Sequence, residues 1–206
     1  MYKLLGRQTS GNVQKVLFML EELGAPYTRE DYGRQFGNTQ TAEYKALNPT
    51  SKVPTLIDGH TVIWESNTIL RYLAAAGGEH LNGASPAEKT DVERWMDFLL
   101  AAVNPGYLAA FKGAKLTPEQ QTAEYQDQVK DLVAQLKIVD GHLANKDFLA
   151  LGRLTIADIA CVPILKRCID FKLDRPSMPD LERWVAAIAA RPAFKKAAGN
   201  ASAKAA

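Results

Sequence analysis

Two hydrophobic periods divide the chain. Up to about residue 76, short apolar runs with strand character alternate with stretches whose apolar residues recur every three or four positions. Tyr2-Lys3-Leu4-Leu5-Gly6 predicts a strand. After the polar run Arg7-Gln8-Thr9-Ser10-Gly11-Asn12, Val13, Val16, Leu17, Leu20 and Leu23 fall at helical spacing, with Gly24 just past the end as a C-cap. Pro26 to Tyr32 predicts a second strand, and the polar loop Gly33 to Thr41 leads to a short helix around Ala42 to Leu47. Thr55-Leu56-Ile57, the turn dipeptide Asp58-Gly59 and Thr61-Val62-Ile63-Trp64 predict a hairpin. Glu65-Ser66 then opens a helix with Ile69, Leu70 and Leu73 on its apolar side. The order βαβαββα points to a small thioredoxin-like α/β domain over residues 1–77.

The pattern changes near Gly77. Gly77-Gly78 and Asn82-Gly83-Ala84-Ser85-Pro86 carry punctuation without periodicity, which marks 78–85 as a linker. Everything after it has helical spacing, so residues 86–206 are expected to form an all-helical C-terminal domain. Ser85-Pro86-Ala87-Glu88 starts the first helix, which should break or kink at Asn104-Pro105-Gly106. Thr117-Pro118-Glu119 starts a second helix, Thr155 a third, Met178 a fourth and Pro192 a short last one. Thr155-Ile156-Ala157-Asp158 has the form of a capping box, in which Thr155 accepts from the Asp158 N–H and Asp158 returns the bond. The Ala/Ser/Lys tail from about residue 199 has nothing to bury and is expected to be disordered.

Composition narrows the function classes. Hydrophobic residues make up 47%, charged residues 23%, and the formal net charge of +2 comes from interleaved signs. Nothing there favours nucleic-acid binding, which needs a clustered positive face. No apolar run approaches the roughly 20 residues of a membrane helix, and the N-terminus does not have the form of a signal peptide. A cytoplasmic protein is expected. Cys161 and Cys168 share a helix face and are expected to pack as buried apolar residues. His60, His80 and His142 lack ligand spacing and are expected at the surface or in turns, so no metal site is expected.

The candidate chemistry centres on Asn48 to Leu73. Pro54 at the mouth of a strand cannot donate to the ladder, so it marks an edge, a strand start or a cis turn. Val53 before it is left extended with free peptide groups. A polar pair at a nearby helix N-terminus suits a carboxylate. Together these features suit a short peptide laid along the backbone.

The element order, Lys52-Val53-Pro54-Thr55-Leu56, Glu65-Ser66 and Thr155-Ile156-Ala157-Asp158 resemble the cytosolic glutathione transferase superfamily over nearly the whole chain. The resemblance implies glutathione as co-substrate. Val53, with Pro54 in cis, would exchange backbone hydrogen bonds with its cysteinyl part. Ser66 would hold the γ-glutamyl carboxylate, Glu65 would meet the γ-glutamyl ammonium, and Lys52 or Gln35 would reach the glycine carboxylate. Ser10, at the start of the first helix, would donate to the glutathione sulfur. A thiol with pKa roughly 8.5 is mostly protonated at neutral pH, and only the thiolate is a good nucleophile. Thr9 and Asn12 are rivals for that role. Ser10-Gly11-Asn12 followed by Lys15 is similar to the Nu-class pattern of Thr-Pro-Asn followed by Lys, and equally to Theta- and Beta-like bacterial enzymes. Met96, Leu100, Tyr107 and Phe111 are candidates for an apolar electrophile site between the domains, and Thr155 and Asp158 for a structural cap. The implied activity is conjugation of glutathione to a hydrophobic electrophile by a homodimer. Glutathione-dependent disulfide reduction and non-catalytic binding are the alternatives.

Overall fold

A computed structural model describes residues 1–114 and 116–199. The expected disorder beyond residue 199 falls outside the described residues. The chain divides into two compact units, Met1–Asn82 joined by the stretch from Ala190, and Gly83–Ala189.

The first unit carries β1 (Tyr2–Leu5), α1 (Gly11–Glu22), β2 (Tyr27–Glu30), α2 (Ala42–Leu47), β3 (Thr55–Asp58), β4 (Thr61–Trp64) and α3 (Ser66–Ala75). Its sheet has the order β2-β1-β3-β4. β1 and β2 run parallel, while β3 is antiparallel to both β1 and β4. Leu4 and Leu56 face each other in register on adjacent strands and are fully buried. Val13, Val16, Leu17 and Leu20 bury one side of α1, and Ile69, Leu70 and Leu73 bury one side of α3. The two helices pack together, as the apolar stripes of each require.

The last helix differs from expectation. α9 (Pro192–Ala198) belongs to the first unit rather than the helical one and packs along α1. Phe194 meets Phe18 edge-on with centroids 5.4 Å apart, a favourable aromatic geometry.

The second unit is all-helical: α4 (Pro86–Phe98), α5 (Asn104–Gly113), α6 (Ala123–His142), α7 (Ile156–Asp170) and α8 (Pro179–Ala189). α4 begins in a capping box. Ser85 Oγ accepts from Glu88 N at 3.2 Å, while Glu88 Oε2 accepts from the N–H groups of Ala84 and Ser85 at 2.8 and 3.3 Å. At Asn104-Pro105-Gly106, where a break or kink was expected, the helix does not break: a π-helical turn over Leu99–Val103 passes directly into α5. The wider turn accommodates a proline that cannot donate to the preceding turn. Thr117-Pro118-Glu119 does not start the next long helix; Pro118–Gln120 is a 3-10 turn, and α6 begins at Ala123 under a Thr122 cap. Gly106 lets α5 close on α6: a Cβ there would lie 2.7 Å from Leu132 Cβ.

α7 is the buried axis of this unit, with Ile156 to Leu165 inaccessible around its first three turns. Asp158 is the polar hub among them. Its Oδ1 accepts from Leu149 N (2.9 Å) and Trp184 Nε1 (3.1 Å), and its Oδ2 from Thr155 N (2.9 Å) and Thr155 Oγ1 (3.1 Å). Burial pushes its carboxyl up from the ordinary 3.8 to about 6, against the pull of these four donors. Cys161 and Cys168 are buried free thiols, and burial raises the Cys168 thiol to about 12. His142, expected in a turn or at the surface, is half-buried at the end of α6. Its ring lies 4.2 Å from Trp95, and its Nε2 is 2.8 Å from the Leu149 carbonyl.

Thr155→Ala is expected to cost about 1 kcal/mol. Asp158→Ala should cost about 3 kcal/mol, because it leaves three buried N–H donors unpaired. Denaturant unfolding measures both. A raised folded-state pKa means that the native state holds its proton more tightly than the unfolded chain. The advantage of Asp158 over an Asp158→Asn variant should therefore be largest at acidic pH. It should shrink as pH rises from 3.8 to about 6 and stay level above that.

Candidate functional site

The strand register gathers the N-terminal candidates at one end of the sheet. Leu5, the last residue of β1, pairs with Thr55, the first of β3, and with Glu30, the last of β2. Thr55 also pairs with Trp64, the last residue of β4. The segments that leave β1 toward Ser10, leave β2 toward Gln35, approach β3 through Val53 and leave β4 toward Ser66 therefore all lie at that end. Gly6 makes the close approach possible. At its φ of 155° a Cβ would stand 2.5 Å from Val13 Cγ2 and 3.3 Å from Val53 Cβ. Helix α1 could not start so near the strand with a larger residue there.

Ser10 is the N-cap of α1, with extended φ and ψ and 8% exposure. Its carbonyl accepts from Gln14 N at 2.9 Å, but its side chain makes no capping hydrogen bond. The hydroxyl therefore sits at the positive end of a twelve-residue helix without being used to cap it. Thr9 and Asn12 on either side are exposed.

The Val53–Pro54 peptide is cis. The ladder of β3 begins only at Thr55, and among the described residues neither the N–H nor the C=O of Val53 has a hydrogen-bond partner. Lys52 is exposed. Glu65 is the N-cap of α3 at φ 68°, ψ 114°, a conformation that costs a non-glycine residue energy, and its exposed side chain makes no capping bond. Ser66, the first helical residue, is buried at 4%. Gln35 lies exposed in a 3-10 turn, Arg34–Phe36.

Sequence reasoning missed the residues that hold this arrangement. Tyr44 Oη and Asn48 Nδ2 donate to the Lys52 carbonyl at 2.6 and 3.0 Å, and both lie 3.0 Å from the buried Thr55 Oγ1. Asn48 Oδ1 in turn accepts from Thr50 N and Thr50 Oγ1 at 3.0 and 2.7 Å. The signal was present, since Asn48-Pro49-Thr50 is an Asx-turn sequence. Tyr44 had no such mark. Lys15, buried to 1%, bridges α1 and α3 by donating to Asn67 Oδ1 at 3.4 Å.

Of the apolar candidates in the helical unit, Met96 is fully buried and Tyr107 is 7% exposed. Leu100, on the π-helical turn, is 42% exposed, and Phe111 is half-buried. Tyr107 stacks with Phe171 and tilts against Phe111, both with centroids 6.1 Å apart, and its hydroxyl accepts from Arg167 at 3.3 Å. Tyr107 and Phe111 are thus brought together. Among the described residues, no cluster of three His, Cys, Asp or Glu could hold a metal ion, and no helix is long and apolar enough to cross a membrane.

Comparison with known proteins bears on the family of the chain. Residues 9–76 match the family described as Glutathione S-transferase, N-terminal domain, and residues 93–192 match Glutathione S-transferase, C-terminal domain. Glutathione S-transferase GstB of Escherichia coli strain K12 is 35% identical over 201 residues, covering 95% of this chain and 97% of that protein. The theta class glutathione S-transferase of Xanthomonas axonopodis pv. citri, solved with glutathione bound, superposes with a TM-score of 0.89 at 35% identity and covers 96% of each chain. A glutathione transferase family member from Pseudomonas fluorescens, solved with two glutathione bound, gives 0.84 at 25% identity, covering 96% of this chain and 92% of that one. With both halves matched in order and a relative this similar along nearly its full length, the chain belongs to the glutathione S-transferase family.

Proposed function

We propose that this protein binds glutathione along Val53 and transfers its thiolate to a hydrophobic electrophile, with Ser10 as the catalytic hydrogen-bond donor. The observation that carries the reading is the pair of unpaired peptide groups on Val53, at the same sheet end as a Ser10 hydroxyl not used to cap α1. The cysteinyl part of glutathione would exchange backbone hydrogen bonds with Val53, as an added strand does at a sheet edge. Ser66 and the first N–H groups of α3 would take the γ-glutamyl carboxylate, with Glu65 meeting the ammonium. Lys52 and Gln35, both exposed at that end, would serve the glycine carboxylate.

Ser10 then donates to the sulfur, and the N-terminus of α1 adds its partial positive charge. Both favour thiolate over thiol and would lower its pKa by about one to two units. The thiolate attacks the electrophilic carbon, the carbon–sulfur bond forms, and the leaving group departs with its electron pair. Of the apolar candidates in the helical unit, Leu100 and Phe111 keep accessible apolar surface that an electrophile could meet, with Tyr107 packed beside Phe111, whereas Met96 is fully buried and serves the core instead. By family resemblance the protein works as a cytoplasmic homodimer.

A second reading is supported by the Pseudomonas fluorescens relative solved with two glutathione bound. In it, Asn12 or Thr9, exposed beside Ser10, helps hold the second molecule, and the reaction is disulfide reduction. Assays with an aryl halide and with a glutathione mixed disulfide separate the two readings. Activity on neither, with retention on immobilised glutathione, would indicate a binding protein.

Ser10→Ala is expected to raise the pKa of the bound glutathione thiol by about one unit while leaving glutathione affinity largely intact. Ultraviolet titration of the thiolate measures this; no change in Ser10→Ala with loss in Asn12→Ala would transfer the role to Asn12. Ser66→Ala should raise KM for glutathione with little effect on turnover. Tyr44→Phe, which frees the Lys52 carbonyl from one of its two donors, should also raise KM, by about threefold to tenfold, without moving the thiol pKa.

A further inference from the structure

The segment between β1 and α1 is tied by a side chain that none of the foregoing chemistry uses. Gln8 Nε2 donates to the carbonyls of Lys196 (3.1 Å) and Ala197 (3.3 Å). Both carbonyls lie in the last turn of α9, where no intrahelical N–H remains to meet them. One amide therefore caps α9 and is itself held by it. Gly199 closes the helix at φ 60°, and a Cβ there would lie 2.6 Å from Gln8 Nε2.

The rest of α9 is anchored to α1. Arg191 Nε and its terminal nitrogen donate to the two carboxylate oxygens of Glu22 at 2.6 and 2.9 Å. Lys196 pairs with Glu21 at 2.7 Å, and Phe194 packs on Phe18. The helix thus reaches from the last turn of α1 to the loop that precedes its first turn. Arg7 N donates to the Tyr32 carbonyl at 3.2 Å, and Ser10 N donates back to the Arg7 carbonyl at 3.1 Å.

We propose that Gln8 is a positioning residue and that α9 is a strap acting through it to set where the Ser10 hydroxyl points. The inference rests on the Ser10 reading given above. Gln8 is two residues before Ser10, and a hydrogen bond to sulfur is sensitive to sub-ångström placement of its donor. Releasing Gln8 lets the loop sample positions from which Ser10 donates less well. The Val53 and Ser66 ends of the site stay as they are. The consequence is a loss of thiolate without a matching loss of glutathione.

The test is ultraviolet titration of glutathione bound to the full-length protein. Gln8→Ala is expected to raise the thiol pKa by about half a unit, a thiolate fraction smaller by about 1.5-fold to 2.5-fold near neutral pH, with glutathione affinity within about twofold of the parent. Gly199→Ala, which crowds the same amide from the α9 side, should shift it in the same direction. Tyr72→Phe removes the 2.8 Å bond from Tyr72 to Asp58 elsewhere in this unit. It should lower thermal stability without moving the pKa, which separates positioning from general loosening. A Gln8→Ala protein that titrates like the parent overturns the inference, as does an equal shift in Tyr72→Phe. A parent protein showing no thiolate with glutathione overturns the Ser10 reading and this inference with it, whereas a normal parent with an unshifted Gln8→Ala overturns the strap alone.

Discussion

Tyr44 Oη and Asn48 Nδ2 both donate to the carbonyl of Lys52, and both engage the buried hydroxyl of Thr55. This small polar knot holds the chain on either side of Val53 without using the peptide groups of Val53 itself. An extended segment that reaches a sheet normally spends its N–H and C=O on a neighbouring strand. Here the ladder starts at Thr55, and the segment before it is fixed from behind by side chains. The peptide groups of Val53 remain unpaired among the described residues. A preorganised backbone edge of this kind binds an extended peptide at low entropic cost. The order of strands then brings Ser10 and Ser66 to the same end.

The second unit uses a similar device for a different purpose. Asp158 collects donors from Leu149, Thr155 and Trp184, so one carboxylate joins a loop, the head of α7 and α8. A buried carboxylate is tolerable only when so fully hydrogen-bonded. Its raised pKa shows that burial still outweighs the donors. In both units a few buried polar side chains bind together segments that repetitive backbone hydrogen bonding does not reach. Gln8 does the same at the surface, between α9 and the loop carrying Ser10.

What was legible in the sequence was what local chemistry encodes. Helical spacing placed α1 and α3, Asp58-Gly59 placed the hairpin, Pro54 marked an edge, a strand start or a cis turn, and Thr155 with Asp158 marked the head of α7. Features that depend on a distant partner were not legible. The apolar residues of α9 show that one face is buried, but not that it is buried against α1. Pro105 signals an interruption, but not whether the helix breaks, kinks or widens into a π turn. Thr117-Pro118 and Thr122 are both acceptable helix starts, and the chain uses the second. Tyr44 reads as an ordinary core aromatic, because its hydroxyl finds Lys52 and Thr55 only after α2 and β3 have come together.

Amide hydrogen exchange at Val53, with and without saturating glutathione, tests the central claim most directly. The account predicts an unprotected Val53 N–H in the free protein that becomes strongly protected when glutathione binds, while Thr55, already in the ladder, changes little. A Val53 amide that exchanges at the same rate with glutathione bound would contradict it.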